Sequence, residues 1–176
     1  MLFYGTYVHS LDPAGRFVMP KTFRNKLGDN FLITKGINCL WCFPEDYLNK
    51  TLAPAIEKLG RNPIRGLFDT DVVRWTRHLF ADMVATNDDS QSRVPLNEEH
   101  RRYAGIKDKV VLCGRGQVIE IWSPEALEQY RQANADIAGV ISSADTLKPV
   151  VSRLLNEDAD VDVPQSGSEE SDTGAA

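Results

Sequence analysis

The chain has few of the residues that disulfide scaffolds, metal sites and membrane spans require. It contains three cysteines and three histidines among 176 residues, and the cysteines are too few and too irregular for a disulfide framework. No apolar run approaches the roughly 20 residues that a membrane-spanning helix needs. No charged-then-apolar leader precedes the first motif. We therefore expect a cytoplasmic protein without a membrane segment, which can bury one good core or two small ones.

Cys39 and Cys42 form a C-x-x-C pair, a pattern used by redox and zinc sites. No second pair of ligands completes a zinc site. The two residues lie in or beside a predicted strand at odd spacing, which places them on opposite faces of a sheet. We expect both cysteines to be buried as small hydrophobic residues, and we predict no metal.

The sequence also lacks a catalytic signature. His9, His78 and His100 are scattered, and no Ser/His/Asp, Cys/His or glycine-rich phosphate-binding pattern surrounds them. Asp88 and Asp89 are adjacent carboxylates, but the simpler interpretation is a solvated Asp88 beside a turn-forming Asp89. We predict no catalytic residue, no cofactor and no small-molecule substrate.

Acidic residues outnumber basic ones, and the excess lies at the C-terminal end. The net charge is −5, but residues 157–176 hold seven acidic residues and no Lys or Arg. The rest of the chain has 20 basic against 18 acidic residues, a net charge of +2. The tail has little apolar surface to bury, so we predict that it is disordered. A solubilising role is the simpler interpretation, and competition with phosphate for the basic surface is the alternative.

A nine-residue motif occurs twice, at residues 12–20 (DPAGRFVMP) and at residues 89–97 (DSQSRVPLN). Gly15 can take positive φ without a Cβ penalty, and Asp12 can accept hydrogen bonds from its own turn. Ser92 replaces the glycine in the second copy, and serine disfavours positive φ because it has a Cβ atom. We therefore expect a turn of different shape there. The predicted turn-forming residues are Asp12, Gly15, Asp89 and Ser92.

Each turn leads into a short strand whose side chains alternate between two faces. Phe17 and Met19 point one way while Arg16 points the other, and Val94 with Leu96 repeats this opposite Arg93. The apolar side chains should be buried and the arginines exposed. Both halves continue with a helical turn, a strand, a hairpin, a strand and a helix start, which indicates a duplicated unit.

Residues 3–16 (FYGTYVHSLDPAGR), 103–106 (YAGI), 110–112 (VVL) and 120–122 (EIW) closely resemble the MraZ proteins, which are bacterial transcriptional regulators built from two SpoVT/AbrB-type units. The resemblance covers roughly the first 130 residues, a typical length for one domain. It implies an α+β fold with a double-psi, swapped-hairpin SpoVT/AbrB-like β-barrel made from two tandem repeats and flanked by helices. Ser92 and Asn97 depart from the pattern, in which Gly and Pro are usual.

The expected organisation is two repeats joined by helices. Residues 44–80 read as two helices, of which Pro54 bends or divides the first and the second begins at Ile64. A third helix opens at Ser123 and a short fourth covers residues 147–155. The predicted segments are repeat 1 (1–50), a helical connection (51–80), repeat 2 (81–130), a C-terminal helical segment (131–156) and the acidic tail (157–176).

Basic residues cluster near the two turns, and we predict that they bind DNA. The predicted DNA contacts are Arg16, Lys21, Arg24, Arg93 and Arg101. Arg can pair with guanine or grip phosphate, whereas Lys suits phosphate positioning. An ion pair with Asp12 that staples the turn is the alternative role of Arg16. For Arg24 and Arg101, a solvated helix face is as good an explanation.

The resemblance also implies function. It implies a nucleoid-associated regulator that binds DNA at short promoter repeats of the division and cell-wall gene cluster, as a homo-oligomeric ring whose many turns act together. Two other classes stay open: an antitoxin-like interaction module, and a ring scaffold whose DNA binding has decayed. The tail lacks the apolar anchors that docking on a toxin would need.

Overall fold

Strands and short helices alternate in a computed structural model of the chain, which describes residues 2–59, 70–136 and 139. In chain order the elements are β1 (Thr6–Ser10), β2 (Arg16–Val18), α1 (Lys21–Leu27), β3 (Phe31–Lys35), β4 (Leu40–Pro44), α2 (Glu45–Tyr47), a π-helical turn (Leu48–Leu52), α3 (Ala53–Leu59), α4 (Thr70–Phe80), β5 (Val84–Thr86), β6 (Arg93–Pro95), α5 (Glu98–Tyr103), β7 (Lys109–Arg115), β8 (Val118–Trp122) and α6 (Pro124–Ala133). The chain divides into two units, Met1–Ala133 and Asn134–Ala176, and these elements all belong to the first.

The described strands form two antiparallel sheets. One has six strands in the order β1-β7-β8-β4-β3-β5, and the other is the two-stranded ribbon β2-β6. The larger sheet is not closed as a barrel, so the predicted closed barrel is wrong for the described residues. Its edge strands β1 and β5 do not pair with each other, and β2 and β6 pair together instead of bridging those edges. The α+β class is confirmed, while the swapped-hairpin arrangement stays a prediction.

The two halves of the chain share their strands. β1 of the first half pairs with β7 of the second, and β5 of the second half pairs with β3 of the first. β4 pairs with β8, and β2 pairs with β6. Neither half can therefore complete its own sheet. The pairing of β2 with β6 also brings the two turns together in one domain.

The apolar alternation predicted for the two motifs is confirmed. Phe17, Met19, Val94 and Leu96 are all buried in the main core. Phe23 of α1 is packed edge-on against the ring of Tyr7, with the centroids 5.0 Å apart. This core holds the β2-β6 ribbon in place, because the apolar face of the ribbon packs against buried residues of the larger sheet.

The two motif helices start in different ways. The carbonyl of Pro20 accepts hydrogen bonds from the N–H groups of Phe23 and Arg24 at the start of α1. In the second half Asn97 replaces this proline, and its side chain accepts a hydrogen bond of 2.7 Å from His100 N. Asparagine is a preferred N-cap because its side-chain oxygen satisfies a helix donor. The departure at Asn97 therefore preserves the helix.

The cysteines behave as predicted. Cys39 and Cys42 are both buried, in two different clusters: Cys42 lies in the main core, and Cys39 packs with Trp122 and Leu127. Burial raises the pKa of the Cys42 thiol, which keeps it protonated and inert. The cysteines are free thiols.

The predicted first helix of the connection is interrupted. The π-helical turn Leu48–Leu52 separates α2 from α3, in which Pro54 is the second residue. Proline has no N–H for the preceding turn, and a wider turn accommodates that loss. The second predicted helix is described over Thr70–Phe80, and its expected start at Ile64 lies outside the described residues.

The third predicted helix is confirmed as α6, where Ser123 Oγ accepts a hydrogen bond of 3.2 Å from Ala126 N. The predicted fourth helix and the acidic tail lie outside the described residues. Within the described ranges, no helix is long and apolar enough to span a membrane.

Candidate nucleic-acid interface

The first turn is held by one carboxylate. Asp12 Oδ1 accepts hydrogen bonds from the backbone N–H groups of Ala14 (3.0 Å) and Arg16 (2.9 Å). The backbone closes with Gly15 N donating to Asp12 O at 2.8 Å. Gly15 has φ +74°, the left-handed conformation that glycine adopts at no steric cost.

The second turn repeats this geometry. Asp89 Oδ1 accepts from the N–H groups of Gln91 (2.9 Å) and Arg93 (3.0 Å), and Ser92 N donates to Asp89 O at 2.8 Å. Ser92 has φ +57°, close to that of Gly15. The expectation of a differently shaped second turn is therefore wrong. The hydrogen bonds of Asp89 hold Ser92 in the left-handed conformation despite its Cβ.

Each turn also fixes the direction of its own arginine. Arg16 donates from Nε to Asp12 Oδ2 at 2.8 Å, and Arg93 donates from Nε to Asp89 Oδ2 at 2.8 Å. Arg16 NH1 also lies 3.6 Å from Asp89 Oδ2, which links the two turns. The predicted ion pair between Asp12 and Arg16 exists: Arg16 NH2 also lies 2.7 Å from Asp12 Oδ2, and Arg93 NH2 lies 2.8 Å from Asp89 Oδ2. Each guanidinium carries five N–H donors, so these contacts occupy only part of them.

The two guanidinium groups share one face of the ribbon. Arg16 lies opposite Pro95 and Arg93 lies opposite Val18, while Phe17 and Val94 pair between them. Because side chains alternate along each strand, both arginines point away from the buried central pair. Their side chains are 33% and 31% exposed. The face therefore presents two fixed, partly exposed cations beside each other.

The pKa values of both turn carboxyls lie below their usual value. For Asp12 the main cause is the hydrogen bond from the Arg16 guanidinium, and for Asp89 it is the backbone N–H of Arg93. A carboxyl with a lowered pKa in the folded state stabilises the fold above its unfolded pKa of about 4. That contribution is lost as the pH falls through the lowered folded value.

The double variant Asp12→Asn, Asp89→Asn is therefore expected to lose part of the acid dependence of stability. Melting temperature measured from pH 7 to pH 2 should fall less steeply below about pH 4 in the variant than in the parent. The parent should also be more stable at pH 7, where both carboxylates are ionised. Parallel curves for the two proteins would contradict this assignment.

Arg24 and Asp88 meet although 64 residues separate them. Arg24 Nε donates to Asp88 Oδ2 at 2.5 Å, and its NH2 lies 3.2 Å from Asp29 Oδ1. The Asp88 side chain is only 4% exposed, so the expectation of a solvated Asp88 is wrong. The carboxylate is buried because the cation on α1 pairs with it, a partnership between halves that no local pattern reveals.

The other two predicted contacts differ in exposure. Lys21 is exposed at the start of α1, on the strand-helix junction that follows the first turn. Arg101 on α5 packs against the first turn: its Cζ lies 3.0 Å from where a Cβ on Gly15 would be. The structure thus places all five predicted basic residues on the two motifs and their helices, with Arg16 and Arg93 sharing a face.

Comparison with known proteins agrees with the two-part architecture. The sequence profile described as MraZ protein, putative antitoxin-like, matches residues 2–60 and 79–144, which covers both halves. The chain belongs to the MraZ family. The predicted family is therefore confirmed.

Curated MraZ relatives match most of the chain. It is 37% identical over 134 residues to the transcriptional regulator MraZ of Syntrophomonas wolfei, covering 74% of this chain and 87% of that one. The protein of the same name from Acetivibrio thermocellus is 34% identical over 130 residues, covering 73% and 86%. That of Clostridium beijerinckii is 31% identical over 147 residues, covering 83% and 99%. These relatives are named as regulators and not as enzymes.

Proposed function

We propose that this MraZ chain is a sequence-specific DNA-binding transcriptional regulator that uses the shared face of the β2-β6 ribbon. The observation that carries the proposal is the pair Arg16 and Arg93, two partly exposed guanidinium groups on one face, each oriented by its own aspartate. An arginine fixed in advance loses little conformational freedom when it pairs with guanine O6 and N7. The two turns therefore present the same aspartate-oriented arginine twice, for contact with DNA bases.

Lys21 is proposed to contact DNA beside this pair. Lys21 is exposed near the first turn, and a flexible ammonium group suits a phosphate contact that fixes register without reading sequence. Arg24 and Arg101 already have contacts inside the protein, so their DNA contacts stay predictions.

Multivalency is proposed to supply the affinity. One protomer offers few basic groups at its two turns. Two short turns also make a small interface compared with those of most specific DNA-binding proteins. The predicted homo-oligomeric ring would present many copies of the turn to successive short repeats, which raises affinity through effective concentration. The proposed target is the set of promoter repeats upstream of the division and cell-wall genes, which places the protein at the nucleoid.

The test is a gel-shift titration with the upstream region of the protein's own gene, run beside a size measurement. We expect a specific complex whose affinity falls steeply as salt is raised from about 50 to 200 mM, because each phosphate contact releases counterions. A shuffled duplex of the same length is the control for specificity. Equal affinity for both duplexes, or a flat salt response, would contradict the proposal.

The antitoxin-like module remains the second candidate, because the matching family profile carries that description. It is distinguished by the same titration: an interaction module without DNA recognition would not separate the promoter duplex from the shuffled one.

A further inference from the structure

The two motif helices each reach the turn that belongs to the other half. α1 follows the first turn, yet its Arg24 binds Asp88, the residue immediately before the second turn. α5 follows the second turn, yet its Arg101 lies against Gly15 of the first. These crossed contacts sit beside the crossed pairing of β2 with β6, in which Met19 N donates to Ser92 O and Leu96 N donates to Gly15 O.

The contact to the second turn is a partly buried ion pair. Asp88 is 4% exposed on its side chain, and Arg24 is 28% exposed. Arg24 is also held on its own helix side, where NH1 donates to Gly28 O at 3.3 Å and NH2 reaches Asp29. The guanidinium therefore has partners on both sides, and the chain just before Asp89 is fixed relative to α1.

The contact to the first turn is made by packing. Arg101 Nε is buried and has no hydrogen-bond partner among the described residues, and the guanidinium lies over the backbone of Gly15. In the alignment of the two motifs, Leu11 takes the place of Asp88. The first turn therefore lacks the carboxylate that fixes the second turn to its helix, and it relies on glycine to admit the arginine.

We propose that Arg24 and Asp88 are positioning residues for DNA recognition, which hold the second turn so that Arg93 matches the placement of Arg16. The inference rests on the proposed DNA-binding function. A shift of the second turn would displace Arg93 relative to Arg16. Specific binding would then weaken, because both arginines must contact the same DNA surface at the same time. The second turn needs this support most, since Ser92 adopts a left-handed conformation that serine disfavours.

The test uses Asp88→Asn and Arg24→Lys in the full-length protein, titrated with the promoter duplex and with a shuffled duplex. Asp88→Asn removes one negative charge, so simple electrostatics would tighten binding to any DNA. Positioning predicts the opposite for the promoter: about a tenfold loss of specific affinity, the value of one misplaced arginine–base contact. Affinity for the shuffled duplex should stay the same or rise.

Arg24→Lys separates positioning from direct phosphate contact. Lysine keeps the charge that a phosphate needs, but it cannot donate to Asp88 and Gly28 as a planar fork. We expect the same loss of the promoter-to-shuffled ratio as in Asp88→Asn. An unchanged ratio in either variant would overturn the proposal, and so would a variant that fails to fold, because the pair would then serve stability.

A failure of the proposed function itself would look different. In that case the parent protein would bind both duplexes equally, and Arg16→Ala would behave as the parent does. If the parent and Arg16→Ala differ but Asp88→Asn and the parent do not, DNA recognition stands and the positioning role is overturned.

Discussion

Arg16→Ala is expected to abolish specific promoter binding while leaving the circular dichroism spectrum and the oligomer mass unchanged. One well-placed arginine–base contact contributes about 1–3 kcal/mol of discrimination, and the loss is repeated at every turn that engages the DNA. Removing the Arg16 guanidinium leaves the backbone hydrogen bonds that Asp12 accepts from Ala14 N and from the N–H of residue 16, and these hold the turn. The fold should therefore survive, because Phe17 and Met19 still anchor β2. A gel-shift titration of both proteins on the promoter duplex measures the effect.

Arg74→Ala is the matched control for this experiment. Arg74 lies on α4, pairs with the exposed Asp71 and is 78% exposed, so its removal changes the net charge by the same amount away from the turns. It should bind the promoter within about twofold of the parent if specificity resides in the turns. Loss of folding in Arg16→Ala would instead support a stapling role for the arginine, and equal losses in both variants would indicate unspecific electrostatics.

Gly114→Ala is expected to destabilise the fold severely for a steric reason. A Cβ at this position would lie 2.3 Å from Tyr4 N and 2.5 Å from the Phe3 carbonyl carbon, both backbone atoms that cannot rotate away. Phe3 is 2% exposed and its backbone bonds to Gly116 across the same junction. Displacing Phe3 from the core should lower the free energy of unfolding by about 3 kcal/mol or more, as truncation of a core phenylalanine does. Urea unfolding of the parent and the variant measures the difference.

Gly105→Ala is the control for Gly114→Ala. Gly105 has φ +64°, so alanine is strained there, but its Cβ would meet only Ser123 Oγ at an ordinary 3.7 Å. The expected cost is about 1–2 kcal/mol for a left-handed residue with a Cβ. Gly114→Ala should be clearly the worse of the two. Equal urea-unfolding midpoints for the two variants would contradict the close approach of the Phe3 and Tyr4 backbone to Gly114.

The local features of the site could be predicted from the sequence. Turn chemistry at Asp12 and Gly15, alternation of Phe17 with Arg16, and burial of Cys42 all follow from neighbouring residues. The left-handed Ser92 could not be predicted from propensity, because the hydrogen bonds of Asp89 outweigh the cost of its Cβ. The burial of Asp88 could not be predicted from its neighbours either, because its partner Arg24 lies in the other half.

The sequence by itself determined the duplication, the family and the two arginine-bearing turns, because period-two alternation and turn residues act over a few neighbouring positions. Only the tertiary structure decided that the six-stranded sheet stays open and that each helix reaches the opposite turn. Those outcomes depend on which strands of the two halves pair. That choice is made by long-range packing of both halves together, and residues spaced closely along the chain do not encode it.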